Sequence, residues 1–425
     1  PRRRSQVSVP DLPPKESFTK LLGGTEGSVP ASTTMAFARL FRDLLKAGDL
    51  GKRIVPILAD EARTFGMEAL FKQVGIYTPG GQSYEPVDHN LLFSYTERKD
   101  GQILQEGITE CGSLASTIAS STSYSTIGEV TVPFFIFYSM FGFQRVGDQI
   151  WAMGDARGRG FLLGATAGRT TLNGEGLQHQ DGHSPLIAAS FPSCISYDPA
   201  YAYEVAILIE EGLRRMVQEQ EDIHYYLTLY NENLEMPAMP EGSKEGILEG
   251  MYLLAPAPEG DGPEIRLLGS GSALPRVRTV ARQLLDDHGI RAQVWSVTSY
   301  SELQREAIEV DRWNLNNPST EQKLTRVEER LPGSDIPVLA VTEYVRALPD
   351  LIRPWVSAPW ASLGTDGYGR SDTREELRKH FETDEASIEI AALSLLSRQG
   401  KIKGEQVSAA QTRHGRDPGT PAPWL

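Results

Sequence analysis

Two imidazoles and a carboxylate fall within five residues of one another in the segment from Arg169 to Ser184, RTTLNGEGLQHQDGHS. His179 and His183 stand four apart with Asp181 between them, a set able to bind a metal ion, move a proton or face a substrate. Glycines at 174, 176 and 182 favour a loop over a helix, and no third ligand stands at a recognisable metal spacing. The segment is therefore read as a loop in which His179 faces substrate and the glycines let backbone approach a ligand closely. Two other readings stay open: polar loop residues bonded to backbone, and a hydrolytic metal site built from His179, His183 and Asp181.

Glu110 is the second candidate. It closes a helix-like run that carries Glu106 four residues earlier, and the segment after it, CGSLASTIASSTSYS, consists of small residues able to pack around a carboxylate. An enclosed acid of this kind is a candidate general acid, although a solvated acidic face is the plainer reading of the pair. Two glycine motifs carry less. GSGSALP (269 to 275) lacks the third glycine of a dinucleotide fingerprint and any phosphate-binding lysine, so a strand-to-helix turn explains it. Gly260, Asp261 and Gly262 spell the opening of a diphosphate metal motif, but no Asn follows at the required distance.

The elements that must position these residues alternate. Ser32 is placed to cap a helix in which Phe37, Leu40, Phe41, Leu44 and Leu45 recur at helical spacing, with Gly48 closing it. Strands follow in RIVPILAD (53 to 60), PFFIFY (133 to 138), GFLLGA (160 to 165), a stretch near 186 to 191, and IHYYLTLY (223 to 230) after a helix with Ala202, Val205, Ala206, Ile209, Leu213 and Met216 on one face. Strands alternating with helices predict a buried parallel sheet, with sites at the carboxyl ends of strands, where Asp60, Glu61 and Tyr138 fall. A second, smaller α/β domain is expected from strand EIRLLGSG (264 to 271), helix 276 to 288, strands AQVWSV and IPVLAV, and helices to about 410. The division expected is a linker at 1 to 31, a first domain at 32 to 235, a linker at 236 to 262, a second domain at 263 to 411 and a frayed tail at 412 to 425.

Composition narrows the function class. With 425 residues, two domains or three are expected, and a net charge of −14 disfavours a nucleic-acid partner. No apolar run reaches the roughly 18 to 20 residues a membrane span needs. Cys111 and Cys194, the only two cysteines, are expected as buried thiols in a reducing compartment, so a cytoplasmic location is expected. A chain that opens on Pro rather than Met is expected to be part of a longer polypeptide.

The motifs DEARTFGMEALF (60 to 71), GQILQEGITE (101 to 110), YSTIGEVTVPFFIFYSMFGFQRVGD (124 to 148), GRTTLNGEGLQHQDGHS (168 to 184), CISYDPAYAYEV (194 to 205), YNENLEMPAMPEG (230 to 242) and LGTDGYGRSDTREELRKHF (363 to 381) run in order along nearly the whole chain. Together they resemble the homodimeric decarboxylating component of pyruvate dehydrogenase complexes, a thiamine diphosphate enzyme with a transketolase-like fold. The resemblance implies a parallel-sheet pyrimidine-binding domain followed by a smaller transketolase C-terminal α/β domain. It also implies that the diphosphate and Mg2+ are held by an N-terminal half which this chain does not contain. The activity implied is oxidative decarboxylation of pyruvate with reductive acetylation of the lipoyl group of dihydrolipoamide acetyltransferase. The partners implied are that N-terminal half, a second copy in a homodimer, and the lipoyl domain.

Residue by residue, Glu110 resembles the carboxylate that bonds a ring nitrogen of the aminopyrimidine, and His179 resembles the histidine facing substrate. Tyr138 and Phe141 resemble the aromatic wall around the pyrimidine. Glu61 resembles a second cofactor-contacting carboxylate, and Asp60 lies beside it on the substrate side. The residue types fit: a flat aminopyrimidine needs an aromatic partner, an acid at one edge and an apolar pocket. The alternatives retained are a non-catalytic α/β assembly module and the metal-dependent hydrolase.

Overall fold

Ser32 caps the first long helix. Its side chain accepts a hydrogen bond from Met35 N at 3.1 Å, and Phe37, Leu40, Phe41 and Leu44 bury one face of Thr33–Leu44. That face meets a sheet through a chain of rings: Phe37 stacks on Phe41 at 5.0 Å, Phe41 tilts on Phe134 at 4.8 Å, and Phe134 stacks on Phe161 at 4.4 Å. The structure, a computed structural model, describes residues 7–25, 29–59 and 62–424. Asp60 and Glu61 lie outside the described residues.

The sheet has six strands in the order Leu104–Gln105, Ile54–Leu58, Val132–Tyr138, Phe161–Ala165, His224–Leu229, Cys194–Tyr197. The pairings of Ile54–Leu58 with both its neighbours, of Val132–Tyr138 with Phe161–Ala165, and of Phe161–Ala165 with His224–Leu229 are parallel. Phe161–Ala165 and His224–Leu229 are buried throughout, which is why they read as unbroken apolar runs rather than alternating ones. Tyr138, Ala165 and Leu229 are register partners, so Tyr138 stands at the carboxyl edge of the sheet's middle.

A second sheet has the order Trp360–Leu363, Val338–Val341, Glu264–Gly269, Arg291–Val297, Met251–Ala255. Its pairings are parallel except that of Arg291–Val297 with Met251–Ala255. Leu268, Val297, Leu303, Val338, Tyr344 and Ile352 form the centre of one core against it. The turn at GSGSALP runs from strand Glu264–Gly269 through a 3-10 turn into helix Leu274–His288.

Several local expectations shift. The apolar stretch near 186 to 191 is not a strand: Ser184–Ala188 is a short helix and the strand lies at Cys194–Tyr197. The stretch expected as an interdomain linker contains helix Lys244–Glu249 and the antiparallel edge strand Met251–Ala255. Phe18, on the short helix Glu16–Thr19, is buried before Ser32 is reached. The C-terminal tail is not frayed, since Arg346 lies 4.3 Å over the Trp424 ring and Arg416 pairs with Asp384. Cys194 is buried but Cys111, the second residue of its helix, is exposed.

The chain divides into two compact units: Pro1–Ala167 with Ile187–Ser196 and Tyr201–Met239, and Gly168–Leu186 with Tyr197–Ala200 and Pro240–Leu425. The His179 segment is thus counted with the second unit.

Candidate active site

In the first unit, Thr109 caps helix Glu110–Ser121 by accepting from Gly112 N at 3.2 Å. Glu110 therefore begins a helix rather than closing one. The position suits it: a carboxylate in the first turn meets the positive end of the helix dipole. Glu110 is 7% exposed, and its Oε2 accepts from Arg145 Nη1 at 3.0 Å. Among the described residues its other oxygen, Oε1, accepts no hydrogen bond.

Arg145 comes from helix Phe143–Asp155, which follows strand Val132–Tyr138 through the 3-10 turn Ser139–Phe141. Its guanidinium carbon sits 3.8 Å from the centre of the Phe141 ring, Phe141 meets Tyr138 edge-on at 6.1 Å, and Tyr138 tilts on Phe65 at 5.3 Å. The result is one acid with an open acceptor beside a run of three aromatic rings. Because Arg145 is half-exposed, its ion pair with Glu110 is screened, and it orients the carboxylate more than it stabilises the fold. Arg145 stands in the run FGFQRVGD, which marks it no more than its neighbours. Its partner is 35 residues away, so no local pattern announces it.

The tight turn after Phe141 depends on Gly142, where an added Cβ would lie 2.2 Å from a ring carbon of the buried Phe137. Gly142→Ala is expected to cost about 1–3 kcal/mol through overpacking, read as a lowered thermal midpoint of the full-length protein. An unchanged midpoint would show that Phe137 has room to move.

In the second unit, His179 ends the 3-10 turn Leu177–His179 and is partly buried. Asp181 is fully buried, and its Oδ1 accepts from His183 N and Ser184 N at 3.0 Å each. It closes the turn, a local backbone role. Burial pushes the His183 imidazole below its usual value, Asp181 opposes that, and Arg169 reinforces it. Gly182 makes room for a side chain of the protein: a Cβ there would lie 2.3 Å from the Arg169 guanidinium carbon. Among the described residues, no three His, Cys, Asp or Glu side chains converge as a metal site would need. The structure thus brings Glu110, Tyr138 and Phe141 together in the first unit, and His179, Asp181 and His183 in the second.

Comparison with known proteins bears on both units. Residues 7–237 match the family model of the pyruvate dehydrogenase E1 component middle domain, and residues 250–384 match that of the transketolase-like C-terminal domain. The chain is 52% identical over 418 residues to the pyruvate dehydrogenase E1 component of Pseudomonas aeruginosa, covering 98% of this chain and 47% of that protein. Against the Escherichia coli K12 E1 component it is 49% identical over 409 residues, covering 96% of this chain and 46% of that one. The chain spans about half the length of the curated relatives it matches.

Among solved structures, a transketolase from Leishmania mexicana superimposes with a TM-score of 0.67 at 16% identity, over 91% of this chain and 48% of that one. A split-gene transketolase described as an inactive β4 tetramer matches with a TM-score of 0.57 at 15% identity, over 86% of this chain and 99% of that one. These likenesses establish the α/β transketolase-like fold. With its middle-domain match spanning more than half of its residues, the chain belongs to the pyruvate dehydrogenase E1 component family.

Proposed function

We propose that this chain is the pyrimidine-binding and C-terminal portion of a thiamine diphosphate-dependent pyruvate dehydrogenase, with the pyrimidine-binding domain built on the six-stranded sheet and the C-terminal domain on the five-stranded sheet, which takes in strand Met251–Ala255. The observation that carries it is Glu110: a nearly buried carboxylate with one oxygen held by Arg145 and the other accepting no hydrogen bond among the described residues, and linked through Arg145 to the rings of Phe141 and Tyr138. That donor set fits an aminopyrimidine, whose ring nitrogen needs an acid at its edge and whose faces need apolar cover. Glu110, Tyr138 and Phe141 would hold the pyrimidine, with Glu61 as a second contact and Asp60 on the substrate side. Mg2+ and the diphosphate would be held by the half of the enzyme outside this chain.

When bound, thiamine diphosphate supplies the nucleophilic carbon that adds to the substrate ketone. Glu110 exchanges a proton with the pyrimidine ring nitrogen, and Arg145 fixes the carboxylate's rotamer while it does so. His179 donates to the ketone oxygen of pyruvate as negative charge develops there, and hands a proton over at that oxygen. Carbon dioxide would leave from the substrate carboxylate. The remaining two-carbon unit would be oxidised by the lipoyl disulfide of dihydrolipoamide acetyltransferase, which takes up the two electrons, its S–S bond breaking as one sulfur becomes the acetyl thioester and the other a thiol. The assembly proposed is a homodimer in which this chain works with its N-terminal half, in the cytoplasm; no helix of the described residues is long and apolar enough to cross a membrane.

The test is reconstitution of the full-length enzyme with thiamine diphosphate, Mg2+ and an isolated lipoyl domain. Pyruvate-dependent acetylation of the lipoyl domain is the expected result. Transfer of a larger acyl group from a larger 2-oxo acid, with pyruvate unused, would overturn the substrate assignment, and no thiamine diphosphate binding at all would leave the non-catalytic module.

A further inference from the structure

The loop carrying His179 is held at both ends by one short stretch of the second unit, residues 343 to 345. Glu343 follows strand Val338–Val341 and is fully buried, with its counter-ion Arg276 donating from Nη2 to Oε1 at 2.7 Å. Its carboxylate also accepts from Thr170 N at 3.1 Å and from Thr170 Oγ1 at 2.8 Å. Two residues on, Val345 N donates to Gly182 O at 2.8 Å. The span between these two anchors contains His179, three residues before Gly182.

Other contacts tighten the first anchor. Arg378 Nε donates to Thr170 Oγ1 at 3.3 Å, and Arg374 Nε donates to Thr171 O at 2.6 Å. The stretch 343 to 345 is itself fixed, because Thr365 Oγ1 donates to Glu343 O at 2.7 Å and Thr365 N to Tyr344 O at 2.9 Å. Burial pushes the Glu343 carboxyl up, yet the charges of Arg276 and Arg378 and the hydrogen bonds from Arg276 and Thr170 hold it below the usual carboxylate range. A charge buried this completely persists only with such a full set of donors. Two of those donors belong to the loop. The acid and the loop therefore order each other.

We propose that Glu343 is a positioning residue for His179: through Thr170 it fixes the start of the loop, and with Val345 it sets where the histidine stands. This deepens the reading of His179 as the substrate-facing histidine and rests on it. Glu343 touches no reacting atom, so its effect on turnover passes through the loop alone.

Full-length enzyme carrying Thr170→Val keeps the Arg276–Glu343 pair and loses the hydroxyl's bonds to Glu343 and Arg378, which guards against a variant that fails to fold; Glu343→Gln, which leaves the Thr170 hydroxyl and its bond from Arg378 in place, is the companion. Amide hydrogen exchange over residues 169–184 is expected to rise on the order of 10-fold in both variants, with exchange over helix Glu110–Ser121 unchanged. Thr170→Ser, which restores the hydroxyl, is expected to restore protection. Turnover of Thr170→Val is expected to fall on the order of 10-fold, within the roughly 10²-fold that a misplacement of about 1 Å can cost, at unchanged thiamine diphosphate affinity. In a His179→Ala background the same substitution is expected to cause no further loss of turnover, whereas a general structural defect would multiply with it. Unchanged exchange over 169–184 in both variants, or a full multiplicative loss in the double variant, would overturn the proposal. A His179→Ala enzyme with wild-type turnover would instead refute the role given to His179, and the exchange measurement would still decide whether Glu343 orders its loop.

Discussion

Glu110→Ala in the full-length enzyme is expected to lower turnover by about 10²-fold or more while leaving the fold in place, because a positioned acid–base group contributes that much. Its helix survives the change. Thr109 still caps it through Gly112 N, and alanine is a better helix former than glutamate. What the fold loses is the acid at the helix N-terminus, about 0.3–1 kcal/mol, and a screened pair with the half-exposed Arg145. The effect thus separates cleanly: a large change in kcat against a small change in Tm. Glu110→Gln sharpens the experiment, since it keeps the shape and the oxygen facing Arg145 but cannot carry a charge or exchange a proton at the same cost. Near-normal decarboxylation by either variant would remove Glu110 from the mechanism.

His179→Ala is expected to slow turnover of pyruvate by a comparable factor, about 10²-fold, at unchanged thiamine diphosphate affinity. Affinity is expected to hold because the loop's backbone anchors do not use this imidazole: Glu343 holds Thr170, Val345 holds Gly182, and Arg370 N donates to Gln180 Oε1 at 2.8 Å. Asp181 keeps its turn through His183 N and Ser184 N. Metal analysis of the purified protein decides between this reading and the hydrolase. Stoichiometric zinc that disappears with His179→Ala would overturn the substrate-facing role.

Where burial made a segment uniform, its sequence was easy to read. The strands Val132–Tyr138, Phe161–Ala165 and His224–Leu229 are covered on both faces and spell themselves out as apolar runs, and the helix after Ser32 shows both its cap and its stripe. Apolar runs too short to show a period were ambiguous, and the stretch near 186 to 191 turned out helical at Ser184–Ala188. Helix Tyr300–Asn316 escaped the reading although Ser299 and Glu302 supply a Ser-x-x-Glu start; Ser299 indeed accepts from Glu302 N at 3.1 Å.

The site divides in the same way. Glu110, Tyr138, Phe141 and His179 lie in motifs dense enough to be singled out, but the groups that orient them do not. Arg145 reaches Glu110 from 35 residues away, and Glu343 reaches Thr170 from 173. Contacts of that span are made by topology, and a linear pattern holds no trace of them.

The excursion of residues 168–186 into the second unit has a practical consequence for dissecting this chain. Cutting after Met239 would seem to yield two independent modules, but the fragment beginning at Pro240 would lack Thr170 and so expose a buried acid, Glu343, that has lost two of its donors. The other fragment would carry a 19-residue insertion stripped of the scaffold that shapes it. Neither end of such a cut is a natural seam. Cloning, proteolysis and domain exchange in this chain have to treat the stretch between Gly168 and Leu186 as belonging to a body whose remaining sequence begins more than 50 residues later, apart from the four residues Tyr197–Ala200.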